Sequence, residues 1–319
     1  MNILIATDGS DYADNALDFM LRFPFPRDSR MTVLTVVSDI PMLPAELEAL
    51  DESQSQALEE ANKRLYQDAE DLVARESSRL WEDGWPGETM VRNGNPVDEI
   101  LQVAGEIDAD LIVVGSHGTD MTKRFLLGSV SDRVLEYASC SVLIVKKKEG
   151  EESAEAIEPG TNAPYKIMLA YDQSEVAQEV LDICSSLPLE EHSEIKVVNV
   201  MPLITAYRQD IRQQINSIWL QKRAIMQQQL EKAVTSLKWA TPNVRMQLRE
   251  AKNVSDEILT AAEETGSDLI MFGCKDRGAI KNFLVGSITR RMARYARCTV
   301  WAVRKKTGNE RQPSAKHHG

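Results

Sequence analysis

The sequence is poor in cysteine, histidine and aromatic residues, and it has no long apolar run. Four cysteines occur in 319 residues and none stands in a Cys-x-x-Cys pair, which excludes a disulfide scaffold and a zinc ribbon. The four histidines are too few and too scattered to suggest a metal cluster. Five tryptophans, Trp81, Trp85, Trp219, Trp239 and Trp301, are spread along the chain and imply no stacking platform. No apolar stretch approaches the roughly 18 residues of a membrane span. Basic residues are outnumbered 37 to 49, for a formal net charge of −12, so neither nucleic acid nor anionic lipid is attracted by default. The start, Met1-Asn2-Ile3-Leu4-Ile5-Ala6-Thr7-Asp8, has no basic region and meets an acid where a signal peptide would still be apolar. A cytoplasmic protein with no nucleic-acid and no membrane partner is expected.

What the chain does contain is itself, twice. Residues 125–148 and 283–306 align at an offset of 158 with 12 of 24 positions identical. Ala109–Gly115 meets Ser267–Gly273 at the same offset, and Ile3–Ser10 meets Ile167–Ser174 at 164. The second copy is thus shorter by six residues in its middle. A period this long means two whole domains rather than a solenoid. We expect a first domain over 1–148, a linker over 149–164 with no apolar period, a second domain over 165–306, and a disordered polar tail over 307–319.

Within each copy, strand-like and helix-like segments alternate. Residues 2–7 form an apolar run ended by Asp8-Gly9, and Ala13, Leu17, Met20 and Leu21 follow at helical spacing with Ser10 placed to cap. Residues 31–37 read as a second strand, and a long helix runs from Glu46 to Leu80. A strand over 89–92 precedes a helix over 96–106 with Pro96 in its first turn. Residues 111–114 and 142–145 are apolar strands on either side of a helix over 129–137. Strands that are apolar throughout, alternating with helices, predict an α/β fold with a parallel sheet covered on both faces.

In such sheets ligands bind beyond the carboxyl ends of strands, where strand order reverses. After the first strand come Thr7, Asp8, Gly9 and Ser10. After the fourth comes Gly115-x2-Gly118-x9-Gly128-Ser129, opening a helix. Glycines let backbone N–H groups approach an anion, and a Gly-Ser step into a helix adds unpaired amides, the positive dipole end and a hydroxyl. Each part has a plainer reading: turn glycines, a Ser129 or Asp8 helix cap, and solvated Lys123 and Arg124. Together on one side of the sheet they describe a phosphate cradle. Cys140 and Cys298, equivalent in the two copies, read as buried packing residues.

This spacing, with Asp8 ending the first strand, resembles the universal stress protein family, and the resemblance spans both copies. It implies tandem five-stranded nucleotide-binding domains (HUP-like, Rossmann-like) with strand order 3-2-1-4-5, a family that usually dimerises through the fifth strand. Carried over by position, Ala6, Thr7, Asp8, Val36 and Val114 would hold the adenosine of ATP or another adenine nucleotide. Gly115, Gly118, Gly128, Ser129, Val130 and Ser131 would line its phosphate and ribose side, with Asp8 a candidate for nucleotide-bound magnesium. Asn93-Gly94-Asn95-Pro96 matches a Gly-x-Pro feature of the family.

The second copy keeps Asp172, Ser174, Gly273, Gly286 and Ser287 but has Asp276 where Gly118 stands, and Lys252-Asn253-Val254 for Gly94-Asn95-Pro96. A carboxylate in a phosphate loop opposes a polyphosphate, although Lys275, Arg277 and Lys281 lie near it in sequence. We read this second site as degenerate. The function expected is nucleotide-dependent regulation in a stress response, not enzymatic turnover. No general base or arginine finger stands out beyond Asp8 and the loop cations. A slow ATPase or phosphotransferase, and a structural adaptor without ligand, are the alternatives. The apolar fifth strands, residues 142–145 and 300–303, would be aggregation-prone as free edges. They are expected to pair antiparallel as an intrachain pseudo-dimer, and a homodimer of such chains is a further partner to consider.

Overall fold

The computed structural model describes residues 1–38, 50–118, 127–147, 164–189, 191–203, 209–274 and 286–305, the side chains of 209–216 excepted. The linker apart from Pro164, the tail, Lys123, Arg124 and the Lys275–Lys281 loop with Asp276 fall outside these residues. The first copy runs β1 (Asn2–Ala6), α1 (Asp11–Arg22), β2 (Arg30–Val37), α2 (Glu52–Glu82), β3 (Gly87–Asn93), α3 (Pro96–Glu106), β4 (Leu111–Gly115), α4 (Ser129–Tyr137) and β5 (Ser141–Val145). The second runs β6 (Lys166–Ala170), α5 (Glu175–Ser186), β7 (Glu194–Pro202), α6 (Gln209–Leu237), β8 (Asn243–Ala251), α7 (Val254–Thr265), β9 (Leu269–Gly273), α8 (Ser287–Tyr295) and β10 (Thr299–Val303). The long helix is described from Glu52, and the expected start at Glu46 lies outside the described residues. Asp51 is its N-cap, in extended backbone, and Gln54 completes a capping box.

The two expected five-stranded sheets are one sheet of ten, ordered β3-β2-β1-β4-β5-β10-β9-β6-β7-β8. All pairs within a copy are parallel, and β5 and β10 pair antiparallel with Trp301 opposite Leu143. The apolar fifth strands thereby cover each other. The outer edges are left to β3 and β8, whose sequences Gly87–Asn93 and Asn243–Ala251 are far more polar. Because the join is antiparallel, the carboxyl edges of the two copies face opposite ends of the sheet. Helices cover both faces. On one, Ile3, Ile5, Leu111 and Val113 pack under α1 and α2. On the other, Leu4, Ile112 and Val114 pack under α3 and α4. Each of these cores runs unbroken into the second copy.

The residues after the fifth strands clasp the join. Lys146 Nζ donates to the carbonyls of Ala296 at 2.6 Å and Arg294 at 3.3 Å, at the end of α8. Its equivalent, Arg304, donates to the Leu135 carbonyl at the end of α4 at 2.5 Å. Cations at helix C-termini are favourable, but burial pulls the Lys146 ammonium down to about 8 from 10.5. Between those values the unfolded chain binds more protons than the folded one, so this lysine adds stability as pH rises. Relative to Lys146→Met, which cannot titrate, the unmodified chain should gain on the order of 1–3 kcal/mol between pH 7.5 and 10 in denaturant titrations. A pH-independent difference would contradict this account.

Candidate functional site

The first copy's site lies where the connections from β1 and β4 diverge, to β2 on one side and β5 on the other. Three backbone segments meet there. In the first, Asp8 Oδ1 accepts from the Ser10 amide at 3.0 Å, and Ser10 Oγ caps α1 by accepting from the Ala13 amide at 3.3 Å. Gly9 takes a left-handed φ of 72°, which only glycine adopts without strain. Leu72 of α2 lies against it. Thr7 is tied to β2: its amide donates to the Leu34 carbonyl at 2.9 Å and its carbonyl accepts from Thr35 Oγ1 at 2.7 Å.

The second segment follows β4. A Cβ on Gly115 would stand 2.7 Å from the Tyr12 carbonyl oxygen, so the absence of a side chain is what lets α1 lie this close to β4. Ser116 Oγ bonds His117 Nδ1 at 3.1 Å, and the His117 ring leans on Tyr12 with centroids 4.9 Å apart. His117 is thus fixed by local packing. Gly118 stands against Asp8, whose Oδ2 is 2.7 Å from where a Cβ would be.

The third segment is the start of α4. The Gly128 amide donates to the Ser116 carbonyl at 2.8 Å, and Gly128 packs on the backbone of Ser116–Gly118. Gly128 is the N-cap and Ser129 the first helical residue, so Ser129 is not the cap that its type suggests. Ser129 is exposed. Ser131 is buried and donates to the Gly115 carbonyl at 2.7 Å, which locks the helix start to the end of β4. Its hydroxyl holds the cradle together instead of facing outward.

Five helices have side-chain caps at their first turn: Ser10, Asp51, Asn95, Ser174 and Asn253. α4 and α8 have none. Among the described residues their first amides have no side-chain acceptor, and an anion is the group that such an N-terminus receives best. Beside it, Ala6, Val36 and Val130 are partly exposed apolar residues against the core that contains buried Val114. The site therefore joins an apolar bed, an exposed carboxylate at Asp8, and a helix start fit for phosphate. Gly94 (φ 151°) turns the chain after β3, and Asn95 caps α3.

The universal stress protein family model matches residues 1–146 and again 165–304. The chain belongs to the universal stress protein family. Among its relatives, the universal stress protein YxiE of Bacillus subtilis is 31% identical over 144 residues, 45% of this chain and 97% of that protein. The universal stress protein MJ0531 of Methanocaldococcus jannaschii is 35% identical over 153 residues, 47% of this chain and 84% of its own. Each thus matches about one copy's length. The crystal structure of a universal stress protein from Archaeoglobus fulgidus superposes with a TM-score of 0.58 at 17% identity, covering 95% of this chain and 96% of that one. A functionally unknown protein, PA1789 of Pseudomonas aeruginosa, gives a TM-score of 0.59 at 14% identity, covering 96% and 92%. At such identities these two show the fold alone.

The second copy of this family fold repeats the frame with different contents. Asp172 Oδ1 accepts from the Ser174 amide at 3.1 Å, as Asp8 does from Ser10, but also from Ser174 Oγ at 2.6 Å. Gln173 holds the left-handed φ, 64°, that Gly9 holds in the first copy. Phe272 fills the place of Val114, and Val200 and Met201 are buried where Val36 and Val37 are half-exposed. Asn199 replaces Thr35 and donates to the Tyr171 carbonyl at 2.7 Å. The second copy thus carries larger or more buried side chains at these apolar positions.

Proposed function

We propose that this universal stress protein binds one adenine nucleotide per chain, ATP or another adenylate, in the first of two domains (1–148 and 165–306, joined by 149–164). The bound ligand sets its state in a cytoplasmic stress response and is not turned over. The observation that carries this reading is the uncapped start of α4, held by Ser131 against a glycine-floored loop and facing Asp8. Ala6, Thr7, Val36, Val114 and Val130 bed the adenosine, and Asp8 accepts from its hydroxyls. Gly115, Gly118 and Gly128 leave backbone free to approach the phosphates, and Ser129 adds its hydroxyl to the helix amides. Magnesium would arrive on the nucleotide and neutralise phosphate charge, with Asp8 its carboxylate. Among the described residues no three His, Cys, Asp or Glu side chains gather in a group that could hold a metal ion, and no helix is long and apolar enough to cross a membrane.

The test is stoichiometry. Denaturing the purified protein should release an adenine nucleotide, and titration of nucleotide-free chain with ATP should give one site. Two equivalent sites, or no heat at all, would overturn the reading. Phosphate release that scales with protein at saturating ATP would replace regulation with hydrolysis.

A further inference from the structure

The join between the copies carries a charge pattern that the internal symmetry makes informative. α4 and α8 are equivalent helices that face each other beside the β5–β10 pair. Asp132 and Glu136 on α4 stand where Arg290 and Arg294 stand on α8. The pseudo-two-fold crosses them: Arg290 Nη2 bonds Glu136 Oε1 at 2.7 Å, and Arg294 grips Asp132 with Nη2–Oδ2 at 2.6 Å and Nε–Oδ1 at 3.3 Å. The carboxylates are only 16% and 19% exposed, so these pairs are less screened than free surface pairs. The Asp132–Arg294 pair also has the forked geometry that makes such contacts specific.

We propose that these four residues restrict the join to unlike copies: a first domain accepts a second domain there and rejects another first domain. The same axis between two first domains would set Asp132 against Glu136, twice. Between two second domains it would set Arg290 against Arg294, twice. Like charges directly opposed cost several kcal/mol at an interface, and specificity comes as much from the rejected pairing as from the favoured one. The backbone cannot supply this discrimination, because Val142–Val145 and Val300–Val303 are both apolar ladders able to pair with their own kind. The duplicated edge is thereby closed within one chain. The inference stands apart from the ligand reading.

The test uses the full chain in three variants. Asp132→Arg with Glu136→Arg makes both helices basic, and Arg290→Glu with Arg294→Asp makes both acidic. Each one-sided reversal should lower the thermal midpoint by about 5 °C or more. Combining all four changes restores opposite charges in exchanged positions and should recover most of that loss. At 1 M salt, where the screening length is about 3 Å, the one-sided variants should regain much of their deficit, which a packing defect would not. One-sided reversals without effect, or a fourfold variant as unstable as the sum of its halves, would overturn the proposal.

Discussion

Replacing Gly118 by aspartate should lower affinity for the proposed nucleotide by one to three orders of magnitude and leave the fold in place. Gly118 lies in a loop on the ligand side of the sheet, and its φ is outside the left-handed region, so an L side chain is compatible with its backbone. A Cβ there would come 2.7 Å from Asp8 Oδ2. Asp8 is exposed, so its carboxylate can swing aside, and the structural cost should stay near or below about 1 kcal/mol. Binding fares differently. A second carboxylate beside Asp8 faces the phosphates, and one added like charge at about 4 Å costs roughly 1–4 kcal/mol between fully and partly screened limits. At about 1.4 kcal/mol per decade, that is roughly a ten- to thousand-fold loss. Gly118→Asn, of nearly equal size and no charge, carries only the steric part, including the displacement of Asp8, and should lose clearly less affinity than Gly118→Asp. Calorimetry on both variants decides. Equal losses would make the effect steric, and undiminished binding in Gly118→Asp would remove Gly118 from the phosphate path.

Much of this arrangement was legible in the residues. The apolar, non-alternating strands gave the parallel order, and the duplicated Ile3–Ser10 and Phe125–Lys148 segments located both copies. The bare apolar edges at 142–145 and 300–303 required a cover, and antiparallel pairing supplies it. Other features depended on contacts between distant residues. Ser131 is an unremarkable serine in sequence, and only the fold puts it against the Gly115 carbonyl. Ser129 has the side chain of a cap, yet Gly128 takes that position because it must pack on the Ser116–Gly118 backbone. The start of α2 at Glu52 carries its own signal in the sequence, since Asp51 and Gln54 have the residue types and spacing of the capping box that they form.

The second copy repeats the frame of the first with different residues. Its sequence already differs at Asp276 and Lys252, but the deeper change is in packing. Phe272 stands in place of Val114, and Val200 and Met201 are buried where Val36 and Val37 are partly exposed. Gln173 holds a left-handed backbone that suits glycine, so the turn has the same form in both copies although the residue differs. Such a domain can still serve its neighbour, because the same β-sheet edge and helix that would frame its site also build the join.

The largest effect on stability is expected at Trp301, which is fully buried at that join. It lies on β10 opposite Leu143 of β5, and its ring approaches Phe25 at 5.8 Å and Phe23 at 6.2 Å, both from the first copy. Tyr165 stacks edge-on to Phe23 at 5.1 Å, and burial pushes its phenol up to about 12. Across the pseudo-axis the equivalents are Leu143, Leu187 and Leu189, so the aromatic bulk sits on one side only. Trp301→Ala would leave a cavity that a sheet joined on both flanks cannot collapse, at a cost of about 3–5 kcal/mol. Trp301→Phe should cost clearly less. The indole Nε1 is buried without a hydrogen-bond partner, so removing that donor relieves a desolvation penalty that partly offsets the lost volume. Because both cores cross the join, the unmodified chain should unfold in one transition. Trp301→Ala should shift it to lower denaturant or split it as the copies uncouple. A loss below about 1 kcal/mol with one unshifted transition would mean that the aromatic cluster does not bind the halves together.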